Sequence, residues 1–156
     1  MKTTPDDLLT AVRHLASTFP ATLDAQRVWY HANRAAFNSS LSTDDVASAK
    51  HSALFLCLWR AAFNGLCRCA ASGHMNAAPG MSKATGPKKS LLDQAALAGY
   101  AAWLQTTCDV QCTDYSTLFD QAVTGDVVYV DPPYLGTFDG YFGKRFDTDL
   151  LVTSLR

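Results

Sequence analysis

The residues best suited to chemistry follow a short apolar run near the end of the chain. Residues 127–130 are mostly β-branched and predict a strand buried on both faces, after which Asp131, Pro132, Pro133 and Tyr134 come directly. Ligands of open α/β sheets bind at the carboxyl ends of strands. The prolines fix φ and carry no N–H, so this turn predicts a rigid set of acceptors beside an aromatic ring. Such a site suits a planar group that bears an N–H₂.

The alternative for this segment is a strand that ends in a tight turn. Asp and Pro are ordinary turn formers, and an isolated Asp-Pro pair after a strand favours that interpretation. The complete run from Asp131 to Tyr134 at the end of a buried strand favours the functional one instead.

Length and composition predict a single folded domain. The 156 residues are too few for two comfortable domains, and 48% apolar with 17% charged residues is typical of a folded protein. No apolar run approaches the roughly 18 residues of a membrane span. The N-terminus lacks an apolar signal region, so we expect a cytoplasmic protein without a membrane partner.

The five cysteines do not predict a metal site or a disulfide framework. Cys67 and Cys69 are separated by one residue, and Cys108 and Cys112 by three, while Cys57 stands apart. The first spacing is too short for a structural zinc site. We therefore expect reduced thiols and no bound metal.

The net charge of −1 conceals a strongly basic segment between residues 46 and 92. This segment contains no acidic residue and carries Lys50, Arg60, Arg68, Lys83, Lys88 and Lys89. A basic block inside an otherwise acidic chain is typical of a surface that faces phosphates. The alternative is a solvated face that happens to lack aspartate.

The first part of the chain predicts three helices. Thr4 and Pro5, with carboxylates after them, predict a helix start, and Pro20 ends that helix. A second helix is predicted over residues 23–37, with Trp29 and Tyr30 in the core. A third begins at residues 43–45. Its apolar run indicates a central position, and Asn64-Gly65 predicts its end.

The remainder predicts a long loop and then alternating elements. Residues 64–90, here called the 64–90 loop, are rich in Gly, Pro, Ser and Ala, and loops of this length are usually functional. Ser90 predicts the cap of a helix over residues 91–104. A short strand is expected near residues 110–112, and a last helix begins at Asp147 or Thr148. The predicted core contains Leu54, Leu56, Leu58, Val128 and Val130.

The order of these parts resembles the Dam-type DNA N6-adenine methyltransferases. Asp131 to Tyr134 looks like the catalytic motif of that family, and Phe138, Tyr141, Phe146 and Asp147 resemble the aromatic loop after it. Residues 63–68, Phe-Asn-Gly-Leu-Cys-Arg, are similar to the entry of the target-recognition region. Residues 73–76 look like the hairpin that follows.

The resemblance implies an α/β fold with two parts. Residues 1–107 would be mostly helical and contain the basic target-recognition insertion, about residues 46–92. Residues 108–156 would form part of a Rossmann-like, S-adenosylmethionine-dependent methyltransferase sheet. Asp114, Tyr115 and Asp131 would bind the cofactor. Double-stranded DNA would be the partner, contacted by these residues: Asn64, Leu66, Arg68, Asn76, Lys83, Lys88, Lys89 and Tyr141.

The implied chemistry agrees with that of the residues. Hydrogen bonds from an adenine amine to the Asp131 carboxylate and the Pro132 carbonyl would localise its lone pair for direct attack on a methyl group. The base must leave the duplex to reach such a pocket, where Tyr134 would stack on it. Arg68 would bind guanine O6 and N7, and the lysines would bind phosphates.

Some features depart from the family pattern. No glycine-rich Phe-x-Gly-x-Gly turn occurs near Met1, and the family continues beyond the position of Arg156. The resemblance implies a GATC-like target, although residues 77–79 and Ser82 of the recognition hairpin differ from the usual pattern. We expect a truncated enzyme or one piece of a split enzyme, in which a second chain supplies the cofactor motif.

The same residues are compatible with three other functions. A DNA-binding remnant without catalysis would keep the basic segment and lack cofactor dependence. Methyl transfer to a protein amide would use the same acceptors, but such enzymes generally have Asn at the position of Asp131. A proline-rich ligand needs an exposed polyproline segment, and the predicted strand before Pro132 counts against exposure.

Overall fold

The structure is a computed structural model that describes residues 4–43, 48–111, 113–132 and 147–154. The chain divides into two units, Met1–Cys108 and Asp109–Arg156. The sequence analysis placed its boundary between residues 107 and 108.

Helix α1 covers Pro5–Ser17 and begins where the sequence predicts. The Asp7 N–H donates to Thr4 Oγ1 at 3.2 Å, and the Thr4 N–H donates to Asp7 Oδ2 at 3.0 Å. This reciprocal capping box satisfies two N–H groups at the helix start. Hydrogen bonds from the Thr4 side chain and backbone hold the pKa of Asp7 below its usual value.

Helix α2 covers Leu23–Ser40, three residues beyond its predicted end. It buries both predicted aromatic residues, Trp29 and Tyr30. The Trp29 indole N–H donates to Thr18 Oγ1 at 3.0 Å, and its ring packs edge-on against Phe19. The aromatic side chains of α2 therefore join it to the end of α1.

Helix α3 covers Ala49–Ala61 and is the central helix of the first unit, because α1 and α2 both pack against it. Leu54 and Leu58 are buried as predicted, and Leu56 is partly buried against the same core. The sequence predicted that this helix starts at residues 43–45. That prediction was wrong for Thr43, because the helix begins at Ala49. Ser48 supplies the cap instead, accepting the His51 N–H at 3.1 Å.

The C-terminus of α3 is covered by the 64–90 loop. A 3₁₀ turn, Phe63–Gly65, follows the helix, so the predicted end at Asn64-Gly65 lies just beyond the true one. The Gly80 N–H donates to Ala61 O at 2.8 Å, and the Phe63 N–H donates to Ala78 O at 2.9 Å. The loop thus satisfies carbonyl and amide groups that the helix end leaves unpaired.

Helix α4 covers Gln94–Thr107, and its cap is Asp93 rather than the predicted Ser90. The Asp93 carboxylate accepts the N–H groups of Ala95 and Ala96, each at 3.0 Å. An ionised carboxylate also interacts favourably with the positive end of the helix dipole, which a hydroxyl does not.

Two short helices are described in the second unit. Helix α5 covers Tyr115–Phe119, and helix α6 covers Thr148–Ser154. Asp147 Oδ1 accepts the Leu150 N–H at 2.9 Å, which confirms the predicted start of the last helix. Between them the chain turns at residues 123–126, where the Asp126 N–H donates to Val123 O at 3.0 Å.

No β-strand is formed within the described ranges, and this includes residues 127–130, 110 and 111. Val127 is 95% exposed and Tyr129 87% exposed, and the prediction that Val128 and Val130 are core residues was wrong. A strand requires hydrogen bonds to a neighbour, and none of the described residues pairs with this segment. The family-based expectation of a Rossmann-like sheet therefore stays a prediction.

Gly80→Ala is expected to lower the free energy of unfolding by about 1–3 kcal/mol. An added Cβ would lie 2.5 Å from Ala62 O and 3.1 Å from Ala61 O, which are backbone atoms that cannot rotate away. Urea unfolding followed by circular dichroism would measure the change.

Gly99→Ala is the matched control for this substitution. Gly99 lies inside α4 with nothing within 4 Å of the added Cβ, so alanine there should stabilise by about 0.5–1 kcal/mol. Equal unfolding midpoints for the two variants would contradict the close approach at Gly80.

Candidate functional site

Arg68 lies on one arm of a short antiparallel hairpin in the 64–90 loop. The Asn76 N–H donates to Arg68 O at 3.0 Å, and the Ala70 N–H donates to His74 O at 2.8 Å. The chain reverses at Gly73, whose φ of +81° favours glycine. The hairpin places Arg68 and Asn76 opposite each other.

The Arg68 guanidinium is fixed by Asn76 along one edge. Arg68 Nε donates to Asn76 Oδ1 at 2.8 Å, and Nη2 donates to Asn76 O at 3.3 Å. Within the described part of the chain, Nη1 makes no hydrogen bond, and both residues are exposed. An oriented guanidinium with its Nη1–Nη2 edge available matches a group that presents two acceptors side by side.

The inner side of the 64–90 loop rests on a row of polar residues on α2. We call this row the α2 polar stripe; its members are Gln26, Tyr30, Arg34 and Asn38. Because residues four apart are neighbours on a helix surface, the stripe follows one side of α2. Each member hydrogen bonds to the backbone of the loop.

Asn38 holds the hairpin at Met75. Asn38 Nδ2 donates to Met75 O at 3.0 Å, and the Met75 N–H donates to Asn38 Oδ1 at 2.8 Å. One amide side chain therefore satisfies both backbone groups of Met75, whose own side chain is buried in the core.

Tyr30 and Arg34 meet at the next anchor point, the carbonyl of Ala77. Tyr30 Oη donates to Ala77 O at 3.0 Å, and Arg34 Nη1 donates to the same oxygen at 2.7 Å. A carbonyl oxygen has two lone pairs, so it can accept both bonds. Burial raises the pKa of Tyr30, and this effect exceeds the lowering caused by the positive charge of Arg34. The hydroxyl therefore stays protonated and acts as a donor at neutral pH.

Gln26 fixes the far end of the loop and is completely buried. Its Nε2 donates to Lys88 O at 2.7 Å and to Pro20 O at 2.8 Å, while the Lys88 N–H donates to Gln26 Oε1 at 2.9 Å. The backbone of Lys88 is thus paired in both directions by one side chain.

The predicted DNA-binding residues lie around this anchored loop. Asn64 is exposed in the 3₁₀ turn with φ of +50°, and Leu66 is 50% exposed. Lys83 and Lys89 are exposed, while Lys88 is partly buried. Tyr141 lies outside the described residues.

A cavity of about 520 Å³ opens beside the end of α3. The Trp59 indole N–H donates to Gly65 O across its wall, and Arg60 Nε donates to Leu91 O at 3.3 Å. Two basic residues are among its lining residues, which are Trp59, Arg60, Ala62, Asn64, Gly65, Gly80, Thr85, Gly86, Pro87 and Lys88.

A second cavity, of about 290 Å³, lies within the second unit. It brings together Asp131, Pro132 and Tyr115, which the sequence analysis assigned to catalysis and cofactor binding. The other lining residues are Leu118, Phe119, Val128, Tyr129, Val130 and Leu151. A carboxylate and a proline therefore share a pocket with aromatic and apolar side chains. Pro133 and Tyr134 lie outside the described residues.

Asp114 is not among the residues that line this cavity. Its Oδ1 accepts the Ser116 Oγ–H at 2.7 Å and the Ser116 N–H at 3.0 Å, which caps α5. These hydrogen bonds hold the pKa of Asp114 below its usual value, so it is ionised at neutral pH. The pKa of the neighbouring Tyr115 phenol is raised above its usual value. Burial is the largest cause, and the negative charges of Asp114 and Asp147 add to it.

Free thiols are present among the described residues, whereas candidate metal sites and membrane-spanning helices are not. In these ranges no group of three or more His, Cys, Asp or Glu residues could hold a metal ion. Cys57, Cys67, Cys69 and Cys108 are free thiols, and burial raises the pKa of Cys57 to about 11. None of the described helices combines the length and the apolar character that a membrane crossing requires.

Several residues of these sites were missed by the sequence analysis. Gln26, Arg34 and Asn38 were not considered, although polar residues at four-residue spacing beside the core aromatics of α2 are a recognisable signal. Leu118 and Phe119 were also missed; their spacing of three and four from Tyr115 places them on one side of α5.

Comparison with known proteins assigns the chain to a family. Residues 1–150 match the D12 class N6 adenine-specific DNA methyltransferases, and the chain belongs to this family. It is 35% identical over 125 residues to the Retron Ec67 DNA adenine methylase of Escherichia coli, covering 80% of this chain and 40% of that protein.

A DNA adenine methylase of Haemophilus influenzae (strain ATCC 51907 / DSM 11121 / KW20 / Rd) is 33% identical over 124 residues. That match covers 76% of this chain and 39% of the relative. The chain thus spans about two fifths of the length of the curated relatives that it matches.

Gln26→Met is expected to release the loop at Lys88. The substitution keeps the volume but leaves the Lys88 N–H and C=O without their partner, at a cost of about 1–3 kcal/mol. Hydrogen exchange should show the Lys88 amide exchanging on the order of tenfold faster. Gln111→Met is the control, because Gln111 is exposed and bonds only to Asp109 within the described residues. Unchanged exchange at Lys88 would contradict the anchoring role.

Proposed function

We propose that the chain contains the target-recognition region and part of the catalytic site of a site-specific DNA adenine-N6 methyltransferase. The observation that carries the proposal is the cavity shared by Asp131, Pro132 and Tyr115. Membership of the D12 class family and similarity to two proteins named DNA adenine methylases support it.

The cavity residues fit S-adenosylmethionine as the cofactor. The Tyr115 and Phe119 rings, whose centroids lie 5.7 Å apart at an interplanar angle of 60°, offer apolar ring surface against which an adenine ring can pack, and Asp131 offers an acceptor. When bound, the cofactor supplies an electrophilic methyl group. Asp114 would act indirectly, since its carboxylate orders the start of α5 and so orients Tyr115.

The catalytic step assigns distinct roles to Asp131 and Pro132. The Asp131 carboxylate and the Pro132 carbonyl accept hydrogen bonds from the adenine N6 amine, which localises the nitrogen lone pair. The N6 nitrogen would then be placed to take the methyl group that bound S-adenosylmethionine would supply, with the cofactor sulfur as leaving group, and the surplus N6 proton would leave to Asp131 or water. Pro133 and Tyr134 lie outside the described residues; by the family resemblance, Pro133 would stiffen this turn and Tyr134 would stack on the flipped base.

Target recognition is assigned to the anchored loop of the first unit. The Nη1–Nη2 edge of Arg68 contacts guanine O6 and N7 in a GATC-like site, while Asn76 holds the adjacent Nε–Nη2 edge. Lys83, Lys88 and Lys89 bind phosphates and set the register on double-stranded DNA. The other assigned DNA contacts are Asn64, Leu66 and Tyr141.

The exposed segment at residues 127–130 requires a cover in the active enzyme. Val127 and Tyr129 are almost fully exposed, and a β-branched run of this kind pairs readily with a neighbouring strand. We propose that further polypeptide, from the same protein or from a second chain, completes a Rossmann-like sheet around it.

A DNA-binding protein without catalysis is the second candidate. The specific observation in its favour is that all anchors of the 64–90 loop lie within the first unit, which lacks Asp131. Duplex binding would then be independent of S-adenosylmethionine.

Asp131→Ala is expected to reduce methyl transfer to background while DNA binding is retained, because the N6 amine loses its charged acceptor. Transfer of labelled methyl to a GATC duplex would be measured with the chain alone and with a supplied segment bearing a glycine-rich motif. Asp120→Ala, which removes an exposed carboxylate after α5, is the control.

The outcomes separate the two candidate functions. Transfer that persists in Asp131→Ala would contradict the catalytic assignment. Absence of transfer in every preparation, together with salt-sensitive duplex binding, would favour the non-catalytic candidate.

Lys89→Ala is expected to weaken duplex binding and to reduce its dependence on salt. Each phosphate contact contributes about 0.9 to the slope of log affinity against log salt, so the slope should fall by about that amount. Arg13→Ala, an exposed cation on α1 outside the basic segment, should leave the slope unchanged. An equal effect of both substitutions would indicate that charge acts without a defined DNA face.

A further inference from the structure

Asn38 is connected to Arg68 through a continuous series of short contacts. Its side chain pairs with both backbone groups of Met75, at 2.8 and 3.0 Å. The next residue, Asn76, bonds to Arg68 three times, through its own N–H, its carbonyl and its side chain. Helix α2 is thereby linked to the Arg68 guanidinium through two adjacent residues, Met75 and Asn76.

The burial pattern around Met75 removes rotational freedom from this series. Met75 and Ala77 are both 2% exposed, while Asn76 between them is exposed. In extended chain, alternate side chains point to opposite sides, so burying Met75 and Ala77 directs the Asn76 side chain outward. Asn38 fixes the position and direction of this segment relative to α2, because it binds both backbone groups of Met75.

We infer that Asn38 is a positioning residue for base recognition: it sets the direction of the Arg68 guanidinium through Met75 and Asn76. The inference rests on the proposed role of Arg68 in reading guanine. Asn38 touches no base itself. Its effect is on sequence preference, and phosphate contacts elsewhere on the loop do not depend on it.

A purely stabilising role for Asn38 predicts a different result from a positioning role. Loss of stability alone lowers the fraction of folded protein, which reduces binding to all sequences equally. Loss of guanidinium direction lowers the preference for guanine and leaves the salt dependence unchanged, because the lysines still meet phosphates. The base preference of folded protein is therefore the decisive readout.

The experiment uses the full chain and a pool of duplexes with a randomised centre, sequenced before and after binding. A second probe replaces the preferred guanine with 7-deazaguanine, which lacks the N7 acceptor. We expect Asn38→Ala to lose guanine preference by about tenfold, the size of one bidentate base contact. The salt slope should match that of the unsubstituted chain, and 7-deazaguanine should no longer weaken binding.

Asn33→Ala is the matched control on the same helix. Asn33 is also an asparagine of intermediate burial, but its Nδ2 donates to Trp29 O of α2 at 2.8 Å rather than to the loop. It should retain the full guanine preference. Combining Asn38→Ala with Arg68→Ala should give no further loss of preference beyond Arg68→Ala alone, because both act on one contact.

Asn76→Ala tests the same series at an exposed position, where folding is not at risk. It should lose guanine preference to a similar extent, because Arg68 loses its side-chain acceptor. Full preference in Asn76→Ala or in folded Asn38→Ala, or additive losses in the double variant, would overturn the positioning role. If the unsubstituted chain shows no guanine preference, the proposed role of Arg68 fails, and the inference fails with it.

Discussion

The backbone of a long loop must find hydrogen-bond partners wherever its inner side is covered. In this protein side chains of α2 supply several of these partners, and backbone groups at the end of α3 supply others. The α2 polar stripe binds Met75, Ala77 and Lys88 by their backbone groups, and Met75, Ala77 and Met81 bury their side chains beside it. Without these bonds the buried peptide groups would be unsatisfied, at a cost that no apolar contact offsets. The hairpin that carries Arg68 is therefore held to α2 at Met75 and Ala77.

The stripe also explains why a segment with little regular structure has a defined shape. Low dielectric strengthens a satisfied polar network and makes a broken one costly, so partial detachment is unfavourable. Gly80 adds a second restraint at the end of α3, where the absence of a Cβ lets the loop approach the helix carbonyls. The loop is therefore held at both ends and in the middle, while Arg68, Lys83 and Lys89 remain exposed.

Local signals in the sequence predicted part of this structure. The starts of α1 and α6 depend on caps within three residues, and both were predicted correctly. The start of α3 was not, because Thr43 and Ser48 are both reasonable caps. The bonding partners of the α2 polar stripe could not be derived, since these bonds join residues 37 to 62 positions apart. Residues 127–130 show the opposite error: a β-branched run predicts a strand, but pairing depends on a neighbour that no local pattern specifies.

The anchors of the loop bind peptide groups rather than side chains, and this has an evolutionary consequence. Substituting an exposed residue such as Lys83 or Lys89 leaves every bond to the stripe in place. Such positions can change identity while the path of the main chain stays constant. If the loop recognises DNA as proposed, descendants of one scaffold can therefore acquire new sequence preferences by exchanging a few surface residues, without rebuilding the helices beneath them.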